Sequence, residues 1–320
     1  MRRRDSLLVV IIAFAAALSA RAPARVDVDR LMTTVRTLAS PAMEGRRAGT
    51  AGGRMARQYI RDAFAEIGLE PAGGRAGPSG YEQRFSFTST GFHAPAKKGS
   101  APLRVDDAAN IVGRIAGRDR SSRVIVVSAH YDHDGIVNGT LYPGADDNAS
   151  GVAALLECAR YLHAHQPRHT FLFAAFDGEE LGLQGARAFV RTPPVALQSI
   201  ALDINLDMVS RNDRNEIYAA GTSHYPSLKP VLEDVQRRAA VKVLFGHDRP
   251  SPGHATDDWT MESDHGVFHQ AHVPFVYFGV DDHPDYHQPT DTPDKIDPAF
   301  FGRVTEMLLD AVLTFDERLR

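Results

Sequence analysis

Disulfides cannot hold this chain together: its 320 residues include one cysteine, Cys158, so no intramolecular bridge can form. Stability must come from a packed core or from bound metal. Cys158 lies in VAALLECARYL, a stretch of helical spacing, and reads as a small buried hydrophobe. Charge of one sign is not in large excess either. A net charge of -4, with acidic and basic residues interspersed, gives no electrostatic footprint for nucleic acid or an anionic membrane surface. The remaining ligand classes are small molecules and peptides. Internal repeats and low-complexity tracts are lacking too. With 43% hydrophobic and 24% charged residues the chain is neither disordered nor fibrous, and it is long enough for one large α/β domain with a substantial core.

A long hydrophobic run occurs at the N-terminus. MRRRD is a positive n-region, LLVVIIAFAAALSA an apolar h-region, and the small residues around Ala20 and Ala22 offer a cleavage site. Residues 1–24 therefore read as a signal peptide and 25–320 as a single domain, secreted or periplasmic, with no stable membrane association after cleavage. An uncleaved anchor is the alternative, although the run is short for a span of about 20 residues. No cysteine follows the h-region, which argues against a lipoprotein anchor.

Two N-terminal helices are expected in VDVDRLMTTVRTLAS and GTAGGRMARQYIRDAFAEIGL, followed by a connecting excursion between Glu70 and Pro102 that carries one strand-like piece, YEQRFSF. From there the pattern alternates. NIVGRIAG, RVIVVSAH, TFLFAAFD, SIALDINLDM and VPFVYFG are strand-like; ASGVAALLECARYLHAH, ELGLQGARAFV, YPSLKPVLEDVQRRAA and DPAFFGRVTEMLLDAVLTFDERL are helical. Strands apolar on both faces, alternating with helices, predict an α/β fold with a mostly parallel central sheet and helices on both faces.

In such sheets ligands lie beyond the carboxyl ends of the strands. RVIVVSAH ends in His130, TFLFAAFD runs into Glu179 and Glu180, SIALDINLDM delivers Asp207, and the chain after VPFVYFG carries His287. Each residue alone is compatible with a solvated loop. The set is not, because adjacent carboxylates after a buried strand repel unless a cation or proton intervenes. Mixed imidazole and carboxylate donors without cysteine suit zinc. Five candidates, His130, Asp147, Glu180, Asp207 and His287, are too many for one catalytic zinc with about three protein ligands and suit two ions sharing a carboxylate.

The motifs AHYDHDG, GADDNASG, DGEELGLQG, NLDMVSR, SDHGVF and HPDYHQPTDTPDKID, in this order, resemble those of the co-catalytic di-zinc aminopeptidases of metallopeptidase family 28, over roughly residues 108 to 300. EGRRAGTAGGRMARQYIRDAFAEIGLEP is similar to the lead-in of secreted bacterial members. The resemblance implies a zinc-exopeptidase fold, two Zn²⁺ per chain and a peptide substrate with a free N-terminus. It makes His130 and Asp207 ligands of one ion, Glu180 and His287 ligands of the other, Asp147 the bridge and Glu179 the general base. Asp132 would orient His130, Asp146 would support the bridge, and the Asp147–Asn148 peptide would be cis. His133 would flank the cleft without binding metal, and SDHGVF would bring His265 beside it. Trp259, Phe268, Phe275, Tyr277 and Phe278 are candidates for a side-chain pocket, with plain core as the alternative. Two other functions stay open on the same fold: a single-zinc glutaminyl-cyclase-like enzyme, since FFDGEE in those enzymes is close to AFDGEE here, and a non-catalytic receptor-like protein.

Overall fold

The computed structural model describes residues 25–74, 80–89, 103–119, 121–249 and 257–319; the expected signal peptide lies outside them. Two amphipathic helices come first, α1 (Val28–Leu38) and α2 (Ala51–Ile67). Their starts follow from capping side chains: Asp27 accepts from the Arg30 N–H and Thr50 from the Gly53 N–H.

The sheet is built from β1 (Glu70–Pro71), β2 (Glu82–Ser89), β3 (Leu103–Ile115) and β4 (Val124–His130). A hairpin, β5 (Gly135–Val137) and β6 (Thr140–Tyr142), stands apart from it. Next come α3 (Gly151–Ala164), β7 (Thr170–Phe176), α4 (Gln184–Arg191), β8 (Ile200–Leu206), β9 (Glu216–Ala220) and α5 (Lys229–Arg238). The chain continues with β10 (Lys242–Phe245), α6 (His265–Gln270), β11 (Phe275–Gly279) and α7 (Pro298–Arg318).

Strand order is β3-β7-β4-β8-β11-β9-β10, with β1 and β2 also paired to β3. The central strands β7, β4, β8 and β11 are mutually parallel, as their apolar character predicts, whereas β3 meets β7 and β9 meets β11 antiparallel. The excursion after Glu70 is partly sheet, because YEQRFSF pairs with a β3 longer than NIVGRIAG suggests. β9 and β10, at one end of the sheet, are only five and four residues long, and they escape the pattern for that reason.

Successive residues serve opposite layers, as the pleat requires. Ile125, Val127, Phe171 and Phe173 join α1, α2, α3, α5 and α7 in one cluster, while Val124, Val126, Leu172 and Ala174 join α4 and α6 in another. Helices thus cover both faces. Pairing of His130 with Phe176 and of Phe278 with Leu206 brings the carboxyl ends of the four parallel strands level. Helix α4 starts at Gln184, later than ELGLQG suggests, because Leu183 adopts a left-handed φ of +59°. Among the described residues no helix is long and apolar enough to cross a membrane.

One buried polar group beneath the site has a pH consequence. The Ser128 hydroxyl lies 2.8 Å from Asp203 Oδ1 and 2.9 Å from Asn205 Oδ1, yet it has one proton to give. Asn205 donates its amide to Ser263, so its oxygen must accept from Ser128, and a neutral Asp203 then donates to the serine. Burial accordingly pushes the Asp203 carboxyl up to about 8. A folded pKa above the unfolded value near 4 means that the folded chain holds the extra proton, so stability present below pH 4 declines as pH rises to about 8. Asp203→Asn should remove this slope: in urea titrations at pH 5 and pH 8.5, the variant's stability relative to wild type should improve by at least about 1 kcal/mol at the higher pH. An unchanged difference would show that Asp203 is ionised in the fold.

Candidate metal centre

The ends of the parallel strands converge as the alternating pattern predicts. His130 closes β4, Asp207 follows β8, Glu179 and Glu180 follow β7, and the chain beyond β11 returns through His287. Asp147 arrives differently, on the turn Ala145–Ser150 before α3. That turn is pinned to the end of β8 by Asn148, whose amide donates to the Leu206 carbonyl and whose oxygen accepts from the Gly151 and Met208 N–H groups. Gly144, at φ +58°, opens the turn, and a Cβ there would meet the Asp147 carbonyl oxygen at 2.1 Å. The Asp147–Asn148 peptide is cis, as the resemblance implies. His287 holds φ +50°, a left-handed conformation costly for a non-glycine residue and typical of functional sites.

All five expected ligands come together. Asp147 Oδ1 lies 3.3 Å from His130 Nε2, which is 3.2 Å from Asp207 Oδ1. Asp147 Oδ2 faces the other way, 3.2 Å from His287 Nε2, which is 3.6 Å from Glu180 Oε2. Donor atoms of His130, Asp147 and Glu180 lie within 4.8 Å of one another, and so do those of Asp134, Glu180 and His287.

Around these donors stand Asp134, which the sequence analysis does not single out, and His133, which it sets at the rim of the cleft. Asp134 Oδ2 lies 3.0 Å from His287 Nδ1, the carboxylate partner that a metal-binding imidazole usually has. His133, expected to flank the cleft, is instead fully buried, with Nδ1 2.7 Å from Glu180 Oε1 and 3.6 Å from Asp147 Oδ2. Both sit in AHYDHDG beside His130, and their contiguity with that motif was the available signal. Asp132 does face His130, but through its carbonyl oxygen at 3.2 Å, closer than its carboxylate at 3.8 Å. The carboxylate accepts the Glu179 N–H at 3.0 Å. Asp146 accepts from the Ser210 N–H and hydroxyl and lies 3.1 Å from His283. Asp291 accepts the Asp146 and Asp147 N–H groups.

His265 does not reach the cleft. It is buried, 2.9 Å from the Trp259 carbonyl, and burial holds it neutral with a pKa of about 3. Its neighbour Asp264 is fully buried with both carboxyl oxygens unpartnered. Of the aromatic candidates, Trp259 and Tyr277 line the cavity with Tyr286, while Phe268, Phe275 and Phe278 are core. The cavity of about 540 Å³ also exposes His130, Asp147, Glu179, Glu180, Asp207 and His287.

The electrostatics suit a bound cation. Asp132, Asp147, Glu179, Glu180, Asp207 and Asp264 are all buried. Burial, with crowding by Glu180, Asp264 and Asp207, drives Glu179 well above the usual carboxylate range despite the opposing influence of His130. Burial likewise raises Asp207, and it lifts Asp132 to about 8. His287 is pushed to about 10, since Glu180, Asp134 and Asp147 outweigh its desolvation. Glu179 Oε1 and Glu180 Oε2 are buried without hydrogen-bond partners. Orphaned carboxylate oxygens interleaved with imidazole nitrogens are the donor set that zinc takes.

Comparison with known proteins agrees. Residues 110–312 match the profile of Peptidase family M28. A probable zinc metalloprotease of Pyrenophora tritici-repentis (strain Pt-1C-BFP) is 31% identical over 177 residues, covering 52% of this chain and 39% of that protein. Aminopeptidase YwaD of Bacillus subtilis (strain 168) is 30% identical over 201 residues, covering 59% of this chain and 40% of that protein. The chain thus spans about two fifths of these curated relatives. Among solved structures, the zinc aminopeptidase BSAP from Bacillus subtilis superposes with a TM-score of 0.66 at 19% identity, covering 89% of this chain and 94% of that one. A Bacteroides thetaiotaomicron glutaminyl cyclase bound to N-acetylhistamine gives 0.66 at 19% identity, covering 90% and 97%. These structural likenesses speak for the fold, and the profile match over residues 110–312 speaks for descent: the chain belongs to peptidase family M28.

Proposed function

We propose that this protein is a di-zinc aminopeptidase that removes N-terminal residues from peptides. The observation carrying the proposal is the splitting of Asp147, with one carboxylate oxygen toward His130 and Asp207 and the other toward His287 and Glu180. One ion would be held by His130, Asp207 and Asp147, the other by Glu180, His287 and Asp147. Bound there, zinc supplies Lewis-acid activation of the scissile carbonyl and of the nucleophilic water.

The protein's own groups do the rest. Glu179 lines the cavity with Oε1 unpartnered, and its backbone N–H is held by Asp132. It accepts the proton of the attacking water at Oε1 and delivers it to the departing amine. Asp134 and the Asp132 carbonyl orient His287 and His130. Trp259, Tyr277 and Tyr286 wall the cavity and give the first side chain of the substrate an apolar surface. Two metals beside this wall favour a substrate whose free α-amino group can ligate one of them, hence an exopeptidase.

The kinship in fold with a glutaminyl cyclase makes single-zinc cyclisation of N-terminal glutamine the second reading. The partition of Asp147 favours two ions over one. Metal analysis of the purified protein should give about two zinc ions per chain, and Asp147→Ala should bring the content to one or less. One tightly held zinc in the wild type, with turnover of glutaminyl peptides to cyclised product, would establish the cyclase instead.

Glu179→Gln keeps the size and most contacts of the side chain while removing the base. Its kcat on aminoacyl anilides should fall about 10² to 10⁴-fold with zinc content preserved. Turnover at the wild-type rate would remove Glu179 from the mechanism, and failure of metal-replete wild type to cleave any anilide would favour the receptor-like alternative.

A further inference from the structure

The segment EGRRAGT contributes no residue to the cavity, yet it holds the largest fully buried side chain outside the aromatic core. Arg46 is 0% exposed. Its Nε donates to the Tyr131 carbonyl at 2.8 Å, Nη1 to the carbonyls of Leu38 and Pro143 at 2.8 and 2.6 Å, and Nη2 to the Gly144 carbonyl at 2.8 Å. Burying a guanidinium on four neutral carbonyls is costly, and burial lowers its pKa to about 10, still charged at neutral pH. The carboxylates acting most strongly on it are Asp147, Asp291 and Asp132.

Those carbonyls are not scattered. Tyr131 stands between His130 and Asp132, while Pro143 and Gly144 lead directly into the turn that carries Asp147. Leu38 is the last residue of α1, so the same fork ties both loops to the N-terminal helix. Arg47 extends the grip by donating to the Asp134 carbonyl at 2.9 Å. Gly45 makes the approach feasible: it holds φ +66°, and a Cβ there would lie 2.3 Å from the Tyr142 carbonyl oxygen. The planar fork spans donors that a single ammonium nitrogen cannot.

We infer that Arg46 is a positioning residue for the metal centre, holding the His130 loop and the Asp147 turn at the spacing that lets both donors meet one ion. The inference rests on the di-zinc reading of the site. Arg46 touches neither substrate nor metal; it acts through the main chain of the loops on which the donors ride. Loss of such outer support typically weakens metal affinity 10 to 100-fold.

The test compares zinc affinity, by chelator competition on the apo protein, for wild type, Arg46→Lys and the core control Leu309→Ala, with Tm recorded for each. Arg46→Lys should bind zinc at least about tenfold more weakly. Leu309→Ala, at a buried α7 position with no side-chain hydrogen bond to those loops, should lose thermal stability while its zinc affinity stays that of the wild type. On loaded enzyme the Lys variant should lose kcat more than it raises KM. Zinc affinity unchanged in Arg46→Lys, or lowered equally in Leu309→Ala, would overturn the positioning role. If Arg46→Lys does not fold, Arg47→Ala, at a half-buried position, carries the same comparison: weakened zinc binding supports the grip on the loop, and wild-type affinity overturns it. A wild type that binds no zinc defeats the di-zinc reading itself, whereas normal wild-type binding with indifferent variants defeats only the inference about Arg46.

Discussion

Mutual repulsion among buried carboxyl groups at one edge of the sheet is the constraint on which the rest of this structure turns. Asp132, Asp147, Glu179, Glu180, Asp207 and Asp264 are withdrawn from water within one region, and a core left to itself would not tolerate them. Hydrogen bonds relieve part of the cost, as where Asp132 takes the Glu179 N–H. His130, His133 and His287 relieve more. Oxygens of Asp132, Asp264, Glu179 and Glu180 still lack hydrogen-bond partners, and of these four residues Glu179 and Glu180 line the cavity, where the proposed ions and substrate would act.

The sheet makes this concentration of charge mechanically feasible. Four parallel strands, buried on both faces, end level with one another, so His130, Glu179, Glu180 and Asp207 reach one place directly from strand ends, while Asp147 and His287 return to it on longer loops. The loops are then restrained from beneath. Asn148 ties the Asp147 turn to the end of β8, Asp291 caps its N–H groups, and Arg46 joins it to the His130 loop. These loops are held by main-chain contacts as much as by side chains.

Much of the fold was legible in local pattern. RVIVVSAH, TFLFAAFD and VPFVYFG are largely apolar, as strands covered on both faces require, while SIALDINLDM sets Asp203 and Asn205 among its apolar residues. The edges were harder to read. EIYAA and KVLF are too short to announce strands, whereas YEQRFSF reads as strand-like and pairs with the next strand, β3. Among site residues, those placed at strand ends could be named from position and chemistry. His133 and Asp134 were partly hidden by standing next to a stronger candidate, and Asp264 and Arg46 by segments whose local sequence gives no hint of what they face.

The sequence by itself determined the alternation of strands and helices, the identity of the donor residues and their order along the chain, because these follow from hydrophobic period and side-chain chemistry at short range. Only the tertiary structure decided the distances among these side chains, with the two oxygens of Asp147 facing separate imidazoles. It alone set His265 behind Trp259 and brought an arginine from residue 46 under loops near residues 131 and 144. Those facts depend on contacts between segments distant in sequence, and no local preference encodes which carbonyl a buried guanidinium will meet.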